Sequence, residues 1–190
     1  MLTLTTPPSA MLTIEQLRDH CRVDGTDSDS ALLAYLAAAV AYVDGPYGAV
    51  GKAIGAQEWT LSRGRVTGTD RVEIPVLPFV SVVSGSYYDA ANASQTLTLA
   101  DFRTYGGEDV AYIEPLVGNT WPAMYDRPDA LSLVISAGYA EPPENVLHAL
   151  RLLVSHWYEN REAVDGASLK ELPLAVFSLL GISRVGWIKA

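Results

Sequence analysis

The sequence predicts an α+β fold: a helical bundle built from N- and C-terminal helices, with a small antiparallel β subdomain inserted between them. Two observations carry this. Apolar residues recur every three or four positions toward both ends of the chain, as on one face of a helix. Between about residues 57 and 138 the period falls to two, and Gly, Pro, Asn and Asp bound each run, as short antiparallel strands require. The chain reads as one domain over 1–190, with helices at about 13–22, 28–44, 143–164 and 173–184.

The first helix opens on the capping box Thr13-Ile14-Glu15-Gln16 and places Ile14, Leu17 and Cys21 on one face, predicting a buried thiol. Asp24-Gly25-Thr26 makes a turn, after which Asp27 or Ser28 caps the second helix. Its stripe is Leu32, Tyr35, Leu36, Ala39, Val40 and Val43, and Gly45-Pro46 with Gly48 and Gly51 ends it. In the β region, Trp59 and Leu61 alternate with polar neighbours, as do Val72, Ile74 and Val76, then Leu131, Leu133 and Ile135. Pro75 cannot donate to a ladder, so its strand is an edge or ends there. Segments 80–88, 101–105 and 110–114 are further strands, with Gly106-Gly107 as a hairpin turn. Pro143 suits the first turn of the third helix, where Val146, Leu150, Leu153, Val154 and Trp157 share a side. The last helix carries Leu174, Val176, Phe177 and Leu180, and a tail holds Arg184, Trp187 and Lys189.

Composition excludes several function classes. Of the 190 residues 49% are hydrophobic and 18% charged, enough for a core without disulfides, which a lone cysteine cannot form internally. Met1–Ala10 has no basic residue and carries Pro7-Pro8, so a signal peptide is not expected. The apolar run 31–43 is too short to span a bilayer, and no membrane partner is expected. The sequon Asn92-Ala93-Ser94 is attributed to chance. A net charge of −9 argues against holding nucleic acid by phosphate neutralisation, though not against lining a channel through which DNA slides.

No catalytic pattern survives inspection, so no enzyme and no cofactor are expected. Gly45–Lys52 resembles a phosphate loop but spaces its glycines wrongly, follows a helix, and has Ala53 where Ser or Thr should bind magnesium. His148, His156 and Glu159 share a helical face, yet the first and last lie about 16 Å apart along the axis, too far for one metal ion. Asp24, Asp27 and Asp29 fail the spacing of a calcium loop and suit the start of the second helix instead. No Gly-x-Ser-x-Gly elbow exists, and Cys21 lies inside an amphipathic helix. A DNA-recognition helix is excluded because no Lys or Arg lies between Ser28 and Gly51.

The third helix carries a resemblance. Ala137-Gly138-Tyr139, Pro143, Ala149, His156-Trp157-Tyr158-Glu159-Asn160-Arg161-Glu162, Leu172-Pro173 and Arg184 occur in an order similar to that of the head–tail connectors, or adaptors, of long-tailed phages. That family includes gene-transfer-agent adaptors and uncharacterised prophage proteins. Leu17, Arg22-Val23-Asp24, Asp27-Ser28-Asp29, Ile74-Pro75, Leu77-Pro78, Val82, Tyr87-Tyr88-Asp89 and Trp121-Pro122 extend the likeness from about Thr13 to Arg184. Asp44-Gly45-Pro46 departs from the family's usual Glu-x-x-Thr-Gly ending of the second helix.

The resemblance implies a structural role in the virion neck, at the head–tail junction, for a protein made in the bacterial host cytoplasm. Such adaptors form a homo-oligomeric ring of about twelve copies beneath the portal protein ring. They extend the channel through which DNA passes without sequence-specific binding, and dock a stopper or tail protein. The C-terminal segment engages the portal. Ile182, Arg184, Trp187, Ile188 and Lys189 are accordingly expected to form the portal-docking tail, since exposed aromatic and Arg residues are frequent anchors; the competing reading folds this tail back on the bundle. Tyr158 and Arg161 are candidate subunit contacts, against an intrahelical Arg161–Asp165 pair, while Trp157 is read as core. The alternative functions are another neck or tail-completion protein, or a small-ligand-binding module at Tyr87, Tyr88, Tyr105 and Tyr112 of the β insertion.

Overall fold

The computed structural model of the protein describes residues 1–160 and 174–184. The fold is α+β, with two compact units. One comprises Met1–Ser9 and Gly55–Ala140; the other comprises Ala10–Ile54 and the chain from Glu141 onward.

The helical unit holds α1 (Ile14–Cys21), α2 (Asp29–Val43), α3 (Glu144–Glu159) and α4 (Leu174–Ser183). The Thr13 box starts α1: the Gln16 amide donates to Thr13 Oγ1 at 3.3 Å, and the Thr13 amide donates to Gln16 Oε1 at 3.0 Å. Arg22 ends it in the left-handed region at φ 53°, and Val23 N–H reaches back to the Arg18 carbonyl at 3.0 Å. Ser28 occupies the N-cap position of α2, but its hydroxyl does not cap; it hydrogen-bonds the Tyr158 hydroxyl at 2.9 Å.

The exit from α2 is fixed by contacts between the helix end and the loop that follows it. Asp44 is the C-cap, and its Oδ1 accepts from the Ile54 amide at 2.6 Å, while Gly45 N–H donates to the Lys52 carbonyl at 2.9 Å. The 45–54 loop is thereby folded back on the helix end. A Cβ on Gly48 would stand 2.3 Å from the Asp44 carbonyl oxygen, so only glycine fits there.

Among the described residues helix α3 runs to Glu159. Asn160 is its C-cap: its backbone N–H donates to the His156 carbonyl at 3.1 Å, and its side-chain amide donates to the same oxygen at 2.7 Å. Pro173, where α4 was expected to start, lies outside the described residues, as do the residues of the expected third helix beyond Asn160. Leu17, Leu32, Leu36, Ala39 and Val43 bury against Val146, Leu150, Leu153 and Val154, and Val176 and Leu180 join them from α4. Each fully buried Leu or Val contributes about 1.5–3 kcal/mol. Asn145 pins α4 to α3, donating to the Leu179 carbonyl at 2.8 Å and to Ser183 Oγ at 2.9 Å. Trp157 packs partly buried against this core, and Cys21 is half-buried at its edge rather than fully buried.

The β unit contains two antiparallel sheets. The larger orders its strands β1 (Leu2–Thr6), β2 (Gln57–Arg63), β8 (Leu131–Ala137), β4 (Phe79–Tyr88) and β5 (Ser94–Thr96). The smaller orders β3 (Val72–Glu73), β7 (Ala111–Pro115) and β6 (Phe102–Gly106). Alternation places Trp59, Leu61, Leu131, Leu133 and Ile135 inside. β3 ends at Glu73, two residues before Pro75, and is an edge strand.

Three elements were not expected. β1 pairs with β2, Leu2 standing opposite Leu61. β5 pairs with the end of β4, and a short 3-10 helix covers Leu99–Asp101. The β6–β7 hairpin turns through 107–110, where Gly107 N–H donates to the Val110 carbonyl at 3.1 Å.

Candidate assembly surfaces

In the helical unit the unusual feature is apolar surface that none of the described elements covers. From Ser30 to Val43, α2 carries no charged side chain, and its outer face leaves Leu33, Ala34, Ala37, Ala38, Ala41 and Tyr42 exposed. α4 is uncharged throughout. It buries Val176 and Leu180, yet Leu174 is 81%, Phe177 51% and Ile182 77% exposed. A helix that is apolar all round normally lies inside a protein, and uncovered apolar patches mark sites of association.

Of the expected docking tail, Ile182 and Arg184 are both exposed. Trp187, Ile188 and Lys189 lie outside the described residues, as does Arg161. Tyr158 is half-buried and engaged by Ser28. Leu174 and Phe177 of α4 are not marked as surface by the sequence pattern; the absence of any charge across α4 is the signal that flags them. On α2, the lack of Lys and Arg that excludes a DNA-reading helix also leaves its outer face apolar.

The titratable groups are arranged for structure. Arg18 Nε donates to Asp29 Oδ1 at 2.7 Å, with a second bond from its terminal nitrogen to Oδ2, so α1 and α2 are clamped by a two-point pair. Hydrogen bonds from Arg18 hold the Asp29 carboxyl below its usual value. In the β unit, Glu114 is 7% exposed and takes Arg71 Nε and Arg103 Nε at 2.6 Å each. Those two hydrogen bonds lower the Glu114 pKa.

His20 meets His148 edge-on at 6.1 Å, and burial, then the neighbouring His148 and Arg151, lowers its pKa. Burial and the nearby Glu159 push the Cys21 thiol up, the opposite of what an activated nucleophile needs. Among the described residues no group of three or more His, Cys, Asp and Glu is placed to hold a metal ion. No helix of the described residues is long and apolar enough to cross a membrane.

The four tyrosines considered for a ligand site do not converge. Tyr105 stacks on Tyr112 at 5.2 Å, Tyr88 lies under the Arg127 guanidinium at 3.7 Å, and Tyr87 borders a separate open groove with Phe102 and Trp121.

No protein-family model and no curated protein sequence matches the chain. Solved structures do. A chain of the neck of an empty gene transfer agent (GTA) particle, computed with C6 symmetry, superposes with a TM-score of 0.76 at 27% identity, covering 99% of this chain and 97% of the other. A chain of the neck of a native GTA particle, computed with C12 symmetry, gives 0.74 and 27% over the same shares. A chain of the virion of a native GTA particle gives 0.72 and 26%, again over 99% and 97%. Across almost its whole length the chain is thus similar to structural chains of GTA particles, and the likeness supports a place in the neck of a virion.

Proposed function

We propose that the chain is a head–tail adaptor: a structural, non-catalytic subunit that forms a ring beneath the portal, extends the DNA channel and docks the stopper or tail. The observation that carries this reading is the match over nearly the full length of both chains to neck components solved under cyclic symmetry. The fold fits the task. The helical unit forms the body of the ring, and the β unit, built from 1–9 and 55–140, supplies further contact surface.

In this reading the face of α4 that the described residues leave exposed begins the portal-docking segment, which continues through Ile182 and Arg184 to Trp187, Ile188 and Lys189. Tyr158 and Arg161 are assigned to contacts between subunits. The acidic net charge suits a conduit through which DNA slides, because a strongly basic wall would retain it.

The test is deletion of the gene in the producing cell, followed by electron microscopy of the particles. The adaptor reading predicts filled heads that carry portal but no tail, restored to tailed particles by the gene in trans. Normal tailed particles from the deletion strain would refute it.

A further inference from the structure

The larger sheet has two unguarded edges. On one side β1 has β2 on its inner edge and, among the described residues, no strand on its outer edge. Met1 and Ser62 exchange both hydrogen bonds: the Met1 amine donates to the Ser62 carbonyl at 2.7 Å, and Ser62 N–H donates to the Met1 carbonyl at 2.9 Å. Such pairs alternate along an antiparallel ladder. Thr3 therefore turns its backbone groups toward Thr60, and Leu2 and Leu4 turn theirs outward.

On the other side, β5 covers β4 only at Ser86, Tyr87 and Tyr88. Phe79 N–H donates to the Gly107 carbonyl and the Gly85 carbonyl accepts from Leu97 N–H, so Val80–Ser84 is the stretch left open. Val80 is 61% and Val83 49% exposed there. That stretch is five residues long, the same length as β1.

Proteins ordinarily blunt free edges with charged side chains, above all Lys, or with Pro. Neither Leu2–Thr6 nor Phe79–Tyr88 contains a charged residue or a proline, in a chain of net charge −9. The two irregularities of β4, at Phe79/Ser81 and Val82/Ser84, bend the strand but bring out valines rather than charges.

Direction matches as well as length. Through β2 and β8, each antiparallel to its neighbours, β1 runs opposite to β4. A rotation about an axis along the strands preserves their direction, so β1 of a neighbouring copy would lie antiparallel beside β4. Cyclic rings need such a contact between two different surfaces of one chain.

From these relationships we infer that β1 of one subunit adds to the open edge of β4 in the next, so that the sheets join into one continuous band around the ring. The inference rests on the ring reading above and names its contact. The occupant of the β4 edge is a second copy of this chain, held by backbone hydrogen bonds.

The test uses assembled particles. With Cys21 replaced by serine, Leu4→Cys is combined in turn with Ser81→Cys, Val82→Cys and Val83→Cys. Within one chain β1 and β4 lie three strand spacings apart, about 14 Å, beyond the reach of a disulfide. Any bond between these cysteines therefore joins two subunits.

Oxidation is expected to give a ladder of multimers for at least one pair. Particles that contain the chain but yield only monomer for all three would overturn the inference. Leu4→Pro removes an outward N–H without touching the β1–β2 ladder, whereas Leu4→Ala removes only the side chain. Leu4→Ala should assemble normally and Leu4→Pro should not; normal assembly of both would also overturn it. Absence of the chain from wild-type particles would defeat the adaptor reading itself, and is told apart by probing the particles for the chain.

Discussion

Arg18, in the last turn of α1, grips Asp29, in the first turn of α2, through two hydrogen bonds, one of them 2.7 Å from Nε to Oδ1. The pair fixes the angle between two short-linked helices and also puts an acidic group at the start of α2, where the helix dipole favours it. Because the Asp29 pKa is lowered in the folded state, its contribution is present above the unfolded value, 3.8, and disappears as pH falls through the lower folded value. Arg18→Gln should lower the urea midpoint at neutral pH, and the difference from wild type should shrink in high salt and below pH 3.8. An unchanged difference under both conditions would show that packing of the Arg18 stem, not charge, is responsible.

His20 makes a second pH-dependent contribution. Its folded pKa lies below the ordinary 6.5 because burial, then His148 and Arg151, disfavour the cation, while Glu159 opposes them weakly. The unfolded chain therefore binds the proton first, and stability falls as pH drops from about 6.5 through the folded value. His20→Gln should flatten that part of the stability profile in urea titrations across pH. A profile identical to wild type would remove His20 from the account.

Gly138 follows β8 at φ +102°, and a Cβ there would stand 2.0 Å from the Gly55 carbonyl oxygen. Both faults are backbone faults that no rotamer relieves. Gly138→Ala should cost at least about 2 kcal/mol in chemical denaturation, at the upper end of ordinary substitutions. A loss below about 0.5 kcal/mol would mean that the 55–56 segment moves aside easily.

Leu174 and Phe177 contribute little to the fold because they are exposed. Leu174→Ser with Phe177→Ser should leave the melting temperature nearly unchanged but weaken binding to the portal ring by tenfold or more, as loss of apolar anchors does. Equal affinity for the portal, measured by titration, would assign the α4 face to something else.

The sequence made the local features legible. The Thr13 box is contained in four residues, and the apolar phase of α1, α2 and α3 needs only neighbours along the chain. What escaped depends on partners far away in sequence. β1 is five residues with two leucines, and becomes a strand only because β2 lies beside it. β5 is Ser-Gln-Thr and has no apolar residue to reveal it. Asp27 or Ser28 is expected at the helix cap; Ser28 takes the position, but its hydroxyl bonds Tyr158, 130 residues on. Likewise Asp29 looked like a helix-start residue, and its partner Arg18 could not be deduced from spacing. At the assembly surfaces the legible signal was a missing one, the lack of charge along α2 and α4.

The most direct test of the central claim is the mass of the purified protein by light scattering, alone and mixed with its portal ring. The adaptor account predicts either a large ring by itself or a monomer that joins the portal in a complex of cyclic stoichiometry. A protein that stays monomeric and ignores the portal would contradict it.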